Sequence, residues 1–402
     1  MIRIQNIPLP LDGDLEQLRK KAARILGVRP GALEELTLVR QSIDARKKQD
    51  VHYVYTVDVS LRTGEEQAVE RTGKKNVSLV LPKPYLFPEV KRRSPSMPVV
   101  VGMGPAGLFA ALFLARNGLP CVVLERGQDV DCRTAQVERF WDSGLLDPSS
   151  NVQFGEGGAG TFSDGKLTTG THDPRISAVI DALVESGAPE DVKWSHKPHI
   201  GTDLLKGVVT SIRQRIEQLG GQVEFHCTVT GFRREGDRLK AIVTDKGEIP
   251  CEVAVLAVGH SARPLFRTLA DEGFALTRKA FSVGVRAEHL QETIDRGRYG
   301  AYAGKTELPP AEYNLSWRQG ERACYSFCMC PGGQVVAAAS EQGGVVTNGM
   351  SYHARDGRNA NAALAVSVLP EDLPGSDPLE GVRFQRQLEQ KAFQIAGNNF
   401  AA

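Results

Sequence analysis

Nothing in this chain of 402 residues approaches the roughly 20 consecutive apolar residues that span a bilayer. The opening stretch, MIRIQNIPLPLDGD, lacks the apolar core of a signal peptide. Net charge is nearly absent: 49 basic against 48 acidic residues leave +1, which gives no reason to expect nucleic acid or a membrane as partner. The basic run Lys91-Arg92-Arg93 is too short to change that. Cysteine is sparse and odd in number, seven residues scattered over positions 121, 132, 227, 251, 324, 328 and 330, as where thiols stay reduced. With no Cys-x-x-Cys pair, a zinc site has no framework, and no metal is expected. Cys328 and Cys330 alone stand close, and strand alternation would put both sulfurs on one face. Buried small apolar residues are the favoured reading of that pair, and a redox or metal role is the rival. The expectation is a cytoplasmic protein of two or three domains.

Glycine is plentiful, at 41 residues, and its placement organises the chain. Residues 98–126 read PVVVGMGPAGLFAALFLARNGLPCVVLER. A valine-rich strand runs into Gly102-Met103-Gly104-Pro105-Ala106-Gly107, an apolar helix follows to Arg116, and a second strand, Cys121 to Leu124, ends on Glu125. Gly102 permits a tight turn, Gly104 lets a pyrophosphate approach the backbone, and Gly107 lets the helix pack close to the strand. The helix N-terminus offers N–H groups to phosphate. Glu125, 23 residues after Gly102, is placed to accept from a ribose diol. Gly155 to Gly160 repeats the GxGxxG spacing, but without a valine-rich strand before it or an apolar helix after it. That second match reads as a loop.

Residues 1–92 read as a small α+β unit: a strand over Ile2 to Ile7, a helix over Leu15 to Leu26, and strands over Leu36 to Ala45 and Val51 to Leu61. The helix has Asp14 as N-cap, Gly27 as its end, and Leu15, Leu18, Ala22, Ile25 and Leu26 as its apolar face. A proline-rich basic linker, LPKPYLFPEVKRRSPSMP, leads to the glycine turn. Asn151 to Leu167, NVQFGEGGAGTFSDGKL, is too glycine-rich for a packed helix or central strand and suits a loop lying against a flat ligand. Two helical patterns over 175–219, the second capped by Thr202, feed a strand from Gln222 to His226. A hairpin follows, Thr228 to Arg233 with Leu239 to Asp245. The continuous apolar run Cys251 to Val258 is expected to be a strand buried on both faces, stopping at Gly259. From Ala280 the chain is mainly β, with strands over Phe281 to Arg286, Ala323 to Met329, Gln334 to Ser340 and Ala362 to Leu369, then a helix from Leu379 to Ala396. Asn348, Arg355, Asn359 and Asn361 form a polar connection that either reaches a substrate or is a solvated loop.

Strung in this order, the chain resembles the two-domain FAD/NAD(P)-binding flavoproteins. VGMGPAGLFAA, FGEGGAGTFSDGKL, AVGHSARP, FCMCPGGQVV and TNGMSYHARDGRNANAALAVSV resemble one branch closely, the bacterial FAD-dependent dehydrogenase-like proteins of unassigned substrate. The likeness covers roughly residues 75 to 402. It implies an α/β architecture in which a Rossmann-like FAD-binding domain over 97–270 has a parallel sheet with helices, a small antiparallel insertion and a helical insertion at 170–220. A β-rich substrate-side domain over 271–375 and a helix over 376–402 would follow, with 1–92 as an accessory domain. The family's closing glycine-rich turn has no counterpart here, so the final strand and helix of the FAD domain are expected to be missing.

By the same resemblance, Gly102, Gly104, Pro105, Ala106 and Gly107 would lie under the FAD pyrophosphate. Glu125 would hold the adenosine ribose with Arg126 beside it, and Val229 would offer backbone contacts to the adenine. Gly157, Gly158, Gly160, Thr161, Asp164, Gly165 and Lys166 would lie on the flavin side, and Gly259 would mark a close approach of its strand. No acid or base transfers. His260 and Lys166 are weak catalytic candidates, and Lys166, Arg263 and the loop amides are candidates to favour the reduced ring.

The function expected is an FAD-dependent oxidoreductase, a dehydrogenase or reductase passing electrons or hydride between a small-molecule substrate or NAD(P)H and a non-covalently bound flavin. A disulfide reductase is excluded, because neither a redox pair after the first helix nor a second NAD(P)H motif is present. Two rivals stay open: an NAD-binding enzyme or sensor without flavin, and a non-catalytic flavin-binding scaffold that docks a protein partner through its N-terminal domain.

Overall fold

The computed structural model describes residues 1–82, 84–90 and 94–400, so the basic run 91–93 lies outside the described residues. In chain order come β1 (Ile2–Leu9), α1 (Leu15–Leu26), β2 (Leu33–Asp44), β3 (His52–Leu61), α2 (Glu65–Thr72) and β4 (Val77–Leu79). The glycine turn joins β5 (Val99–Val101) to α3 (Pro105–Arg116), followed by β6 (Val122–Leu124), α4 (Val130–Ser143), α5 (Arg175–Glu185), α6 (Thr202–Gln218) and β7 (Gln222–Glu224). Then come β8 (Val229–Glu235), β9 (Arg238–Thr244), β10 (Gly247–Pro250), β11 (Ala254–Leu256), α7 (Arg263–Asp271), β12 (Phe281–Leu290) and α8 (Gln291–Tyr299). The last elements are β13 (Ser316–Gln319), β14 (Arg322–Cys330), β15 (Gln334–Ala337), β16 (Thr347–Met350), β17 (Asn359–Val368) and α9 (Glu380–Ile395). They fall into two compact units, one of residues 1–86, 166–200 and 290–312, the other of 87–165, 201–289 and 313–402.

The first unit holds a sheet of order β2-β3-β1-β4, antiparallel throughout. Asp14 accepts from the Gln17 amide at 2.7 Å and Gly27 closes α1 in the left-handed region, so the local signals set both ends of that helix. Leu18, Ala22, Ala23 and Leu26 bury against Ile2, Ile4, Val57 and Val59. Leu15 shares that face but sits in the first turn, at the end of the helix, and is 61% exposed.

In the second unit four parallel strands run in the order β11-β5-β6-β7. Val99, Val100 and Val101 are buried, as the middle of such a sheet requires. The expectation for Cys251 to Val258 is corrected: only Ala254–Leu256 form a strand, it lies at the sheet edge, and Val253 and Leu256 are exposed. An apolar run does not reveal how many neighbours a strand will have. The hairpin β8–β9 gains a third strand, β10. A second sheet has the order β12-β17-β14-β13, with β15 and β16 paired beside it.

Two more local expectations are overturned. Gly201, with φ of 87°, precedes α6 as its cap residue, and Thr202 is the first helical residue, its hydroxyl donating to the Thr161 carbonyl at 2.6 Å. In β14 the pairing slips between Phe327 and Cys330, and Cys328 has φ of 47°. This bulge breaks the alternation that would have put Cys328 and Cys330 on one face.

Candidate nucleotide-binding site

The end of β5 delivers the chain to Gly102, which takes φ of 95° and donates its amide to the Leu124 carbonyl at 2.8 Å. A Cβ there would meet the Ala257 carbonyl oxygen at 2.5 Å, so only glycine fits. Among the described residues, the close backbone approach is between Gly102 and Ala257, and a Cβ on Gly259 would meet no protein atom within 4 Å. Gly104 caps α3 and Pro105 opens it, where no amide hydrogen is needed. The first helical bond runs from Leu108 to Gly104, at 2.9 Å, with the Ala106 and Gly107 amides ahead of it at the positive end of the helix. A Cβ on Gly107 would strike the Gly102 carbonyl, which is the close helix–strand packing expected.

Glu125 is buried. One of its oxygens accepts from the Met103 amide at 2.8 Å, the other from the amides of Gly127 and Gly155, both at 2.9 Å. It fixes the turn, its own strand end and the second glycine segment together, so a ribose diol would share its oxygens with three amides. Arg126 lies with its guanidinium 4.1 Å from the Phe154 ring centroid, and its buried Nε has no partner among the described residues. A small cavity is bounded there by Gly102, Glu125, Arg126, Val229 and Leu265.

The second glycine segment lies directly against the first. The Gly157 amide donates to the Met103 carbonyl at 2.8 Å, and a Cβ on Gly158 would stand 2.8 Å from the Gly104 Cα. The loop is held from behind by three residues that sequence reasoning missed. Arg133 on α4 is fully buried and donates to the carbonyls of Asn151 at 2.8 Å, Glu156 at 2.6 Å, Val152 at 2.8 Å and Gly158 at 2.9 Å. Burial pushes its pKa down to about 10, so it stays charged at neutral pH. Glu156 is also buried, and its carboxylate accepts from the Val130 amide at 2.8 Å and from Arg213 Nε at 2.7 Å. Burial raises the Glu156 pKa against those partners. Asp164 pairs with Arg355 in a buried ion pair, Arg355 Nε donating at 2.8 Å. Thr161 bonds the Glu156 carbonyl at 3.2 Å, and the Gly165 amide donates to Ser163 at 3.1 Å.

Glycine on both walls, helix amides at one end and an unpartnered Arg126 nitrogen at the other suit a dinucleotide. Comparison with known proteins bears on which one. Residues 98–222 match a family described as FAD binding domain, residues 280–402 match FAD-dependent protein, C-terminal domain-like, and residues 1–60 match a domain of unknown function. Over 412 aligned residues the chain is 47% identical to an uncharacterized protein of Clostridium beijerinckii, covering 100% of this chain and 76% of that one. The chain belongs to an FAD-dependent flavoprotein family.

A flavin-dependent monooxygenase of Mycobacteroides abscessus is 28% identical to the flavoprotein over 207 residues, 48% of this chain and 38% of that one. Among solved structures, the amino acid oxidase NikD aligns at 15% identity and a TM-score of 0.30, over 72% of this chain and 77% of that one. The halogenase PltM aligns at 14% and 0.32, over 76% and 57%. Together the family matches support a flavin-dependent oxidoreductase in the general sense.

The sequence singles out further residues. Lys166 falls in the other compact unit and forms an antiparallel β-bridge with His199. His260 is exposed at the rim of a cleft of about 830 Å³, with Nε2 3.2 Å from the Ser261 hydroxyl. The protein mass around it, and then Arg263, lower its pKa. Arg263 is engaged by Glu341 and Glu389, each at 2.9 Å. The polar cluster at 348–361 is neither a solvated loop nor one site. Asn348 bonds the Phe162 carbonyl at 3.0 Å, Arg355 pairs with Asp164, Asn359 bonds Glu288 at 2.6 Å, and Asn361 receives Arg286 at 2.5 Å.

Proposed function

We propose that the chain binds FAD non-covalently along the facing glycine segments and acts as a dehydrogenase or reductase on a small molecule, with NAD(P)H as a candidate donor. The observation that carries this reading is the close packing of Gly158 on Gly104 beside the first turn of α3, which sets two stretches of bare backbone together at a helix N-terminus. FAD supplies the redox chemistry when bound. The protein's part is to hold it: the Ala106 and Gly107 amides toward phosphate, Glu125 and Arg126 toward the adenosine, and Arg133 keeping the second glycine wall in place. The name of the mycobacterial relative supports a second reading, with dioxygen as the oxidant. The test is the visible spectrum of the purified chain with and without added FAD, then under anaerobic NADH and NADPH. An oxidised-flavin spectrum that bleaches with one nucleotide supports a dehydrogenase or reductase, and oxygen uptake on re-aeration with substrate supports the monooxygenase reading. Tight flavin with no turnover would favour a scaffold, and a chain that takes up no FAD refutes the proposal.

A further inference from the structure

On β12, Ser282, Gly284 and Arg286 occupy alternate positions, and on the neighbouring strand β17 so do Asn361, Ala363 and Ala365. Across β17, Phe327 pairs with Ala363 and Tyr325 with Ala365. All of these but Asn361 bound a cavity of about 480 Å³ whose floor is Gly284, Ala363 and Ala365 and whose wall is aromatic. A Cβ on Gly284 would strike the Leu364 carbonyl, so the floor cannot be raised. Phe327, 62% exposed, adds an apolar surface at the cavity's edge.

Arg286 borders this cavity and the larger cleft beside it. Its Nη1 donates to Asn361 Oδ1 at 2.5 Å and to the Cys328 carbonyl at 3.3 Å. The seat depends on a glycine, since a Cβ on Gly349 would strike both Arg286 Nη1 and Asn361 Oδ1. Asn361 is fully buried, and its Nδ2 has no partner among the described residues. Arg286 forms no ion pair among them either. Glu288, two residues on, is held instead by the Val335 amide at 3.2 Å and by Asn359 at 2.6 Å. A half-buried guanidinium positioned by a buried amide and lacking an acid calls for an anion from outside, and its planar fork matches a carboxylate.

We propose that Arg286 anchors the carboxylate of a small organic acid whose flat apolar body lies over Gly284, Ala363 and Ala365 against Phe327. The acid is the substrate class of the flavoenzyme read above, and to that extent the assignment rests on that reading; the binding itself does not. Calorimetry on the purified full chain tests it with phenylacetate against phenylacetamide, which keeps the shape and removes the charge. The acid should bind at least about tenfold more tightly than the amide. Arg286→Met should erase that preference while flavin absorbance holds, with a lower melting temperature because the buried Asn361 Oδ1 loses its donor, and Phe327→Ala should weaken phenylacetate more than acetate. Equal binding of acid and amide, no binding of either, or an Arg286→Met chain that keeps the preference overturns the proposal. The acid-to-amide comparison needs no variant, so a misfolded Arg286→Met chain leaves the test standing, and Arg286→Lys supplies a milder substitute. Flavin is read separately by absorbance: a chain without flavin that still prefers the acid refutes the flavin reading alone.

Discussion

Arg133, fully buried, commits its guanidinium to four main-chain carbonyls of one loop. Its Cδ fills the space a side chain on Gly155 would need, so the arginine and the glycine are fitted to each other. Arg133→Met should cost about 3–5 kcal/mol in urea unfolding, because it leaves buried carbonyls without donors and Glu156 with one cation fewer nearby. Arg133→Lys should recover only part of this, since one ammonium cannot reach so many acceptors at fixed angles. Flavin retention should fall with stability in both, because Gly158, one of the four acceptors, packs on Gly104 at the start of α3. A methionine variant that unfolds at the wild-type urea concentration would show that the loop is held by something else.

Between elements, Glu341 joins α7 to α9: it accepts from Arg263 at 2.9 Å and from Arg386 through both oxygens, each at 2.9 Å. The hydrogen bond from Arg386 leads in holding its pKa below the ordinary carboxylate value. A depressed folded pKa stabilises the fold above the unfolded value, near about pH 4.3, and that stability is lost as pH falls through the folded value. Glu341→Gln should therefore cost about 1 kcal/mol at pH 7, a modest figure because the carboxylate is 29% exposed, and its melting curve should converge with wild type below about pH 4. A gap that widens on acidification would reverse this sign. Elements such as α1 and the turn at Gly102 were legible in the sequence because their determinants are local: a cap three residues from its amide, a period of apolar residues, glycines at a fixed spacing. β11, the bulge at Cys328 and the cap of α6 were not, since each is decided by which strand or carbonyl arrives from far along the chain. The same holds for the site, where Gly102 to Glu125 could be read directly. Arg133, Glu156 and Arg213 could not, because a buried charge is recognisable only once its acceptors are in place.

At the scale of the molecule, the glycine segments, Glu125 and Val229 all belong to one compact unit, while residues 1–86 belong to the other. A ligand bound only by the folded form of one unit should stabilise that unit by mass action, by about 2.7 kcal/mol at a hundredfold excess over Kd. For a unit of this size that is roughly 5–10 °C of melting temperature, and two units melting separately would show it in one transition only. Gly158→Val is the sharp variant, because its Cβ would stand 2.8 Å from the Gly104 Cα at a φ of 60° that a β-branched residue resists. It should part the two glycine walls and abolish the FAD-dependent shift. Gly73→Ala, in the other unit, also has a positive φ, 57°, but open space around it. It should cost about 1 kcal/mol in its own transition and leave the FAD shift intact. A Gly158→Val chain that keeps the full shift would place the cofactor away from these segments, whereas a shift carried by the transition of residues 1–86 would assign it to the other unit altogether.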